Sequence, residues 1–334
     1  MKILFNLIII SYLIIVGGYS VNAQDLKPGK NKVTYTSKGD TISAHVFLPD
    51  TYVNGQKLPG IVISPPVSGI KEQTAGLYAK KLSHKGFITL VFDPRGFGES
   101  QGREVLLNPY EYVEDILNSV SFIRTLKEVD PDNIFNVGLC AGASYSAYAT
   151  AFDSRVKAVA LITPYLTSSV DLLKAVGGST KAIRQHVLPG SATAIQKYFE
   201  TGENLTIKQV PTTKEEIEKS RPVPIGMRDY YLPGKPGSHP RWKNKLGLAG
   251  GHGVLSFDIL HWTPWFDAVP VFMAIGSNAV SKKGAIQFYD AINGPKDKLV
   301  LEGAGHFQIY WMPKYVDPVV DGTSDFLKKH IQKL

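Results

Sequence analysis

The chain has 334 residues, 43% hydrophobic and 20% charged. It is long enough to bury a large core as one α/β domain with an insertion or as two smaller domains, and it is neither fibrous nor broadly disordered. Its formal charge is +8, yet Lys and Arg are spread along the sequence without a basic cluster interleaved with aromatics, which predicts a solvated cationic surface and no nucleic-acid partner.

In chain order, residues 1–23 come first: Met-Lys, an apolar run over 3–16, then a polar segment ending Val21-Asn22-Ala23. Small residues at 21 and 23 predict a cleaved signal peptide, hence export to the periplasm or the outside, with no stable membrane span after cleavage. Residues 33–49 read as two strands around the turn Lys38-Gly39-Asp40. Residues 58–64 form a continuous apolar strand, and 72–85 have helical spacing at Ala75, Tyr78, Ala79 and Leu82, closing at Gly86. A buried strand, 87–92, delivers Asp93-Pro94-Arg95-Gly96-Phe97-Gly98-Glu99-Ser100. A helix is expected over 110–127, then a strand at 134–137, a small-residue helix from Ala143 and a strand at 156–162. After a long irregular stretch come a strand at 269–275, a helix at 283–292, a strand at 298–302 and a helix at 324–333. This alternation predicts an α/β fold, a mostly parallel sheet with helices on both faces and an antiparallel opening hairpin.

Residues 163–267 break the rhythm, with prolines such as Pro211, Pro222 and Pro240 and the Gly-rich run from Gly247 to Gly253. The interval is too long for an ordinary loop and reads as a cap inserted between two core strands. The expected organisation is therefore a signal peptide (1–23), a first core part (24–162), the cap (163–267) and a second core part (268–334).

Between the strand at 134–137 and its following helix lies Gly138-Leu139-Cys140-Ala141-Gly142. Glycines on either side of a central nucleophile let the backbone turn sharply from strand into helix, lifting that side chain over the helix N-terminus. Here the nucleophile is a thiol, and it is the chain's sole cysteine, so no intramolecular disulfide is possible. A helix N-terminus and a nearby imidazole are expected to lower the Cys140 pKa. The general base is His306, on the Gly-rich loop Gly303-Ala304-Gly305 after the last strand, so sulfur and imidazole must meet in space. The other histidines lie in the cap or, for His45, His84 and His330, in expected surface elements. None has metal-ligand spacing, so neither a metal nor another cofactor is expected.

For a developing oxyanion, one donor is the backbone N–H of Ala141. Proline carries no N–H, so in the loop after the strand at 58–64, which begins Pro65-Pro66, the second donor is Val67. A carboxylate to orient the imidazole is expected just after the strand at 269–275, but residues 276–283 hold no Asp or Glu. The remaining candidates are Asn278, Asp171 and Asp267; a thiolate–imidazolium dyad without a third member is the other possibility.

With these pieces placed, residues 32–332 resemble the dienelactone-hydrolase-like branch of the α/β-hydrolases, in particular members with a Gly-x-Cys-x-Gly elbow that include fungal polyketide acyltransferase-like proteins. The residues that carry the resemblance are Lys71-Glu72-Gln73, Asp93 to Ser100, Gly138 to Gly142, Arg155 to Ala160, Tyr230-Tyr231, Gly237 to Arg241 and Gly303 to His306. It implies the α/β-hydrolase fold and cofactor-free cleavage or transfer of acyl groups on a small-molecule substrate. Three functions compete: hydrolysis of a small ester, lactone or thioester through a Cys140 acyl-enzyme; acyl transfer by the same nucleophile; and non-catalytic binding after loss of the orienting acid. The sequence identifies neither the substrate nor the oligomeric state.

Overall fold

The computed structural model describes residues 26–166, 179–220 and 222–332. The expected signal peptide (1–23) and Asp171 lie outside the described residues. An eight-stranded sheet forms the centre: β1 (Gly29–Ser37), β2 (Asp40–Leu48), β3 (Leu58–Ser64), β4 (Ile88–Phe92), β5 (Val129–Leu139), β6 (Val156–Ile162), β9 (Val271–Gly276) and β10 (Lys296–Leu301). Their spatial order is β1-β2-β4-β3-β5-β6-β9-β10; β2 runs antiparallel to β1 and β4, and the other neighbours are parallel. Ser37 pairs directly with Asp40, leaving a two-residue turn in which Lys38 and Gly39 both have positive φ, a geometry that follows the twist of the hairpin.

The central strands are mostly apolar along the stretches where both their faces are covered, as in residues 61–63 of β3 and residues 158–162 of β6. Along β3, Ile61 and Ile63 pack with α1 (Thr74–Ser83) and the C-terminal helix, while Val62 between them packs on the opposite side with α2 (Pro109–Ile123) and α3 (Ala141–Ala151). β6 repeats the division: Ala158, Ala160 and Ile162 go to one side, Val159 and Leu161 to the other.

Between β6 and β9 the described chain is mainly helical: α4 (Leu188–Thr201), α5 (Lys214–Glu218), α6 (Pro222–Tyr231) and α7 (Gly251–Ser256), with a small antiparallel pair of β7 (Thr206–Ile207) and β8 (Leu246–Gly247). α8 (Lys282–Ala291) follows β9, and α9 (Pro313–Lys329) closes the chain. α9 starts well before the expected residue 324. Pro313 suits the first helical position, while Pro318 and Gly322 argue locally against a helix; Val316, Val319, Val320, Thr323, Phe326 and Leu327 all fall on one buried stripe, and that burial outweighs the local preference. Gly322 also brings the helix close to the sheet, since a Cβ there would lie 2.9 Å from the Phe272 ring.

His45 departs from the expected surface placement: it lies on β2 with 3% of its surface exposed, and burial, then the charge of Lys71, lowers its pKa to about 4. Among the described residues no helix is long and apolar enough to cross a membrane.

Candidate active site

Five non-glycine residues among those described have positive φ, and three of them, Ser68, Cys140 and Thr163, surround one point at the C-terminal ends of β3, β5 and β6. Crevices at that edge of a parallel sheet are where α/β proteins bind ligands. Cys140 itself (φ 56°, ψ −121°) is the strained residue of the turn from β5 into α3. Both flanking glycines are sterically required: a Cβ on Gly138 would lie 2.5 Å from Ala143 Cα, and one on Gly142 would lie 2.3 Å from the Pro65 carbonyl oxygen.

The backbone N–H groups of Ala141 and Val67 are donors to the sulfur, and the hydroxyl of Tyr310 is its side-chain hydrogen-bond partner. The loop after β3 thus brings Val67 to the sulfur, where the missing N–H groups of Pro65 and Pro66 leave it to donate. That loop is held from several directions. The Tyr112 hydroxyl donates to the Pro65 carbonyl (2.7 Å), Gly69 N–H closes a turn on Pro66, and Ser68 Oγ donates to Gln209 Oε1 (2.5 Å). Below it, the buried Lys71 donates through Nζ to Asp93 (2.5 Å) and Glu99 (2.7 Å), and its N–H reaches the other Asp93 oxygen (2.7 Å). Arg241 pairs with Glu72 (2.5 Å) and Glu99 (3.2 Å), tying the segment between β6 and β9 to the same cluster.

His306 lies on the other side with 3% of its surface exposed. Nδ1 lies 2.8 Å from Ser281 Oγ and 3.1 Å from Thr163 Oγ1. Thr163 Oγ1 directs its own hydrogen to the His306 carbonyl (3.4 Å), leaving lone pairs toward the ring, so Nδ1 carries the proton and Nε2 is the free acceptor. Nε2 faces the Tyr310 hydroxyl at 3.3 Å. Sulfur and imidazole are therefore brought to one site but do not bond each other: among the described residues no hydrogen bond joins Cys140 to His306, and Tyr310 is partner to both.

The orienting candidates from the sequence do not hold the ring. Asn278 is exposed; its backbone N–H is used on Ala304 and its side chain makes no bond to His306. Asp267 is exposed at the end of the 3₁₀ helix Ile259–Phe266. Ser281, the N-cap residue of α8, and Thr163, directly after β6, stand where a carboxylate was sought. The first lies inside the very segment searched for an acid, and Thr163 gave no signal in the sequence.

The expected acidic thiol is also corrected. Burial pushes the Cys140 pKa up to about 11, against the lowering effect of Tyr310, Ala141 and Val67; burial pushes His306 down to about 3. Near neutral pH the resting pair is a neutral thiol and a neutral imidazole, in place of the thiolate–imidazolium dyad. Hydroxyl partners on Nδ1 orient the ring without the charge that would favour imidazolium.

Beside the sulfur lies a cavity of 110 Å³ whose walls include Val67, Ala141, Tyr145, Tyr165 and Phe257. From the interval 163–267, Tyr165 and Phe257 line it, whereas Tyr230, Tyr231, Trp242, Trp262 and Trp265 do not. Tyr231 stacks on Trp242, and Trp262 and Trp265 pack against Phe152. A cavity of 500 Å³ opens on the other face of His306, lined also by Asn278 and Trp311. A larger one of 840 Å³ lies behind Tyr310 against Lys71 and His45, away from the sulfur's backbone donors. Among the described residues no cluster of three or more His, Cys, Asp or Glu side chains is arranged to hold a metal ion.

Comparison with known proteins agrees with this architecture. A family model described as alpha/beta hydrolase fold matches residues 69–213. The uncharacterized protein YcjY of Escherichia coli (strain K12) is 30% identical over 306 residues, 90% of this chain and 98% of that protein. A thiohydrolase of Eupenicillium brefeldianum is 23% identical over 292 residues, 86% of this chain and 90% of its own length. The crystal structure of hypothetical protein PA2218 from Pseudomonas aeruginosa superimposes with a TM-score of 0.81 at 28% identity, covering 90% of this chain and 94% of that one.

Proposed function

Since the chain belongs to the α/β-hydrolase fold family, we propose that it cleaves a small ester, lactone or thioester through an acyl-enzyme on Cys140. The observation that carries this reading is the Cys140 sulfur at a strained strand-to-helix turn, faced by the backbone N–H groups of two residues, Val67 and Ala141, that line an adjacent apolar cavity. The sulfur attacks the acyl carbonyl, whose oxygen takes the N–H groups of Ala141 and Val67 as charge develops on it. His306 accepts the thiol proton during attack and returns it to the leaving group. Water, deprotonated by the same imidazole, then releases the acid. With thiol and imidazole both neutral at rest, the base acts only as the carbon–sulfur bond forms. Similarity to a fungal thiohydrolase favours thioesters among the substrates.

The acyl group is short. The 110 Å³ cavity is smaller than the roughly 150 Å³ that holds a benzene ring in a dry protein interior. The wider cavity at His306 leaves room for the departing group and for water.

Intact-protein mass spectrometry after mixing with p-nitrophenyl acetate and a short acyl thioester tests the proposal. One acyl group on the native chain, absent in Cys140→Ala, is expected; no adduct with any short activated acyl donor sinks it and leaves non-catalytic binding. Slow alkylation by iodoacetamide at neutral pH is expected on this reading and does not count against it. Transfer to an alcohol or amine is the second reading, favoured by the burial of Cys140 and His306 away from bulk water. Added hydroxylamine or alcohol divides the product between the two routes.

A further inference from the structure

Resting on the acyl-enzyme reading above, we propose that the Tyr310 hydroxyl is itself catalytic, as the relay that carries the Cys140 proton to His306. Tyr310 is almost wholly buried, on the short 3₁₀ turn Gln308–Tyr310 four residues after His306. Its hydroxyl is 3.3 Å from His306 Nε2 and is the side-chain partner of the Cys140 sulfur. The position is fixed by the backbone: Thr74 Oγ1 donates to the Tyr310 carbonyl (3.0 Å) and the Tyr78 hydroxyl to the Ile309 carbonyl (2.9 Å), so α1 holds the turn from one side. Rings of Tyr230, Phe307 and His306 pack around it at centroid distances of 5.1, 5.3 and 5.6 Å.

The hydrogen-bond polarity runs one way. Thr163 and Ser281 fix the proton on Nδ1, Nε2 is left to accept from Tyr310 O–H, and the Tyr310 oxygen then has lone pairs for the Cys140 S–H. Burial raises the Tyr310 pKa well above that of an ordinary phenol, so its proton is in place at any working pH. As the sulfur lone pair forms the S–C bond, the thiol proton passes to the Tyr310 oxygen, the tyrosine's own proton passes to Nε2, and the carbonyl π electrons move to the oxygen between Ala141 and Val67. Collapse of that intermediate breaks the bond to the leaving group, which receives the proton back through Tyr310. The tyrosine ends unchanged.

The test is stopped-flow acylation of the full chain by p-nitrophenyl acetate, for the native protein, Tyr310→Phe, His306→Ala and the double variant, in mixtures of H2O and D2O. Tyr310→Phe keeps the ring and its packing and removes the hydroxyl. Its acylation is expected to be about 10²- to 10⁴-fold slower, the range for a lost proton-transfer group. Because the two residues act in series, the double variant is expected to be no slower than His306→Ala. The native rate should curve downward with deuterium fraction, as two protons move together, and become linear in Tyr310→Phe. A Tyr310→Phe rate within a few-fold of native, multiplicative losses in the double variant, or a linear isotope dependence in the native protein overturns the relay. The last of these needs no variant to fold. Native protein that forms no acyl adduct overturns the parent reading, and the relay with it.

Discussion

The two sides of the sulfur are built by opposite means. The loop that presents Val67 is anchored by charge: buried Lys71 holds Asp93, Glu72 and Glu99, and Arg241 reaches in to Glu72 and Glu99. The imidazole on the other side is held by neutral hydroxyls alone, Ser281 and Thr163 on one nitrogen and Tyr310 on the other. Charge is thus placed where it fixes a backbone donor and kept away from the imidazole proposed as the base. Oxyanion binding needs dipoles already in position before the reaction, and ion pairs supply that rigidity. A base that works only as the bond forms needs orientation, which hydroxyls supply.

The largest effect separating the two sides is on folding. Lys71→Met leaves Asp93 buried without its ammonium partner and should lower unfolding free energy by about 3–5 kcal/mol, whereas Ser281→Ala removes one neutral hydrogen bond at about 1 kcal/mol. Chemical denaturation of both variants checks the difference; equal losses would erase the contrast.

Next is the base itself. Ser281→Asp puts a carboxylate beside Nδ1, favours imidazolium and should raise the His306 pKa from about 3 by roughly one to three pH units. Imidazolium cannot accept the thiol proton, so the low-pH loss of acylation rate should move toward neutral by the same interval. Imidazole NMR titration alongside the acylation pH profile measures both; an unmoved profile would mean that the ring is not the base.

A smaller effect concerns the acyl pocket. Phe257→Ala enlarges the 110 Å³ cavity and should raise the kcat/KM ratio of a butyrate over an acetate ester roughly tenfold, the scale of one or two methylenes in an apolar pocket. A selectivity that stays at its native value would remove this cavity as the acyl site.

Much of this site could be read before any coordinates. Gly138 and Gly142 mark the elbow, the prolines leave Val67 as donor, and the chain order points to His306; each is a local pattern with one mechanical reason. The strand–helix alternation likewise gave the sheet and its two covered faces. What the sequence hid depends on distant packing. Ser281 lay in the stretch scanned for a carboxylate, but a serine at a helix start has an ordinary explanation as a cap. Thr163 reaches the imidazole only because its backbone takes φ 40°, and Tyr310 looks like any core aromatic after a loop. Protonation was misread for the same reason. A helix start and a neighbouring histidine argue for a thiolate, and only the folded site reveals that burial of both groups outweighs them.

Because Cys140 is the chain's one cysteine, its ionisation can be followed directly as the thiolate ultraviolet absorbance of the native protein minus that of Cys140→Ser across pH. A neutral resting pair predicts no thiolate signal at pH 7 and a rise only near pH 11. A full thiolate signal already present at neutral pH would contradict it.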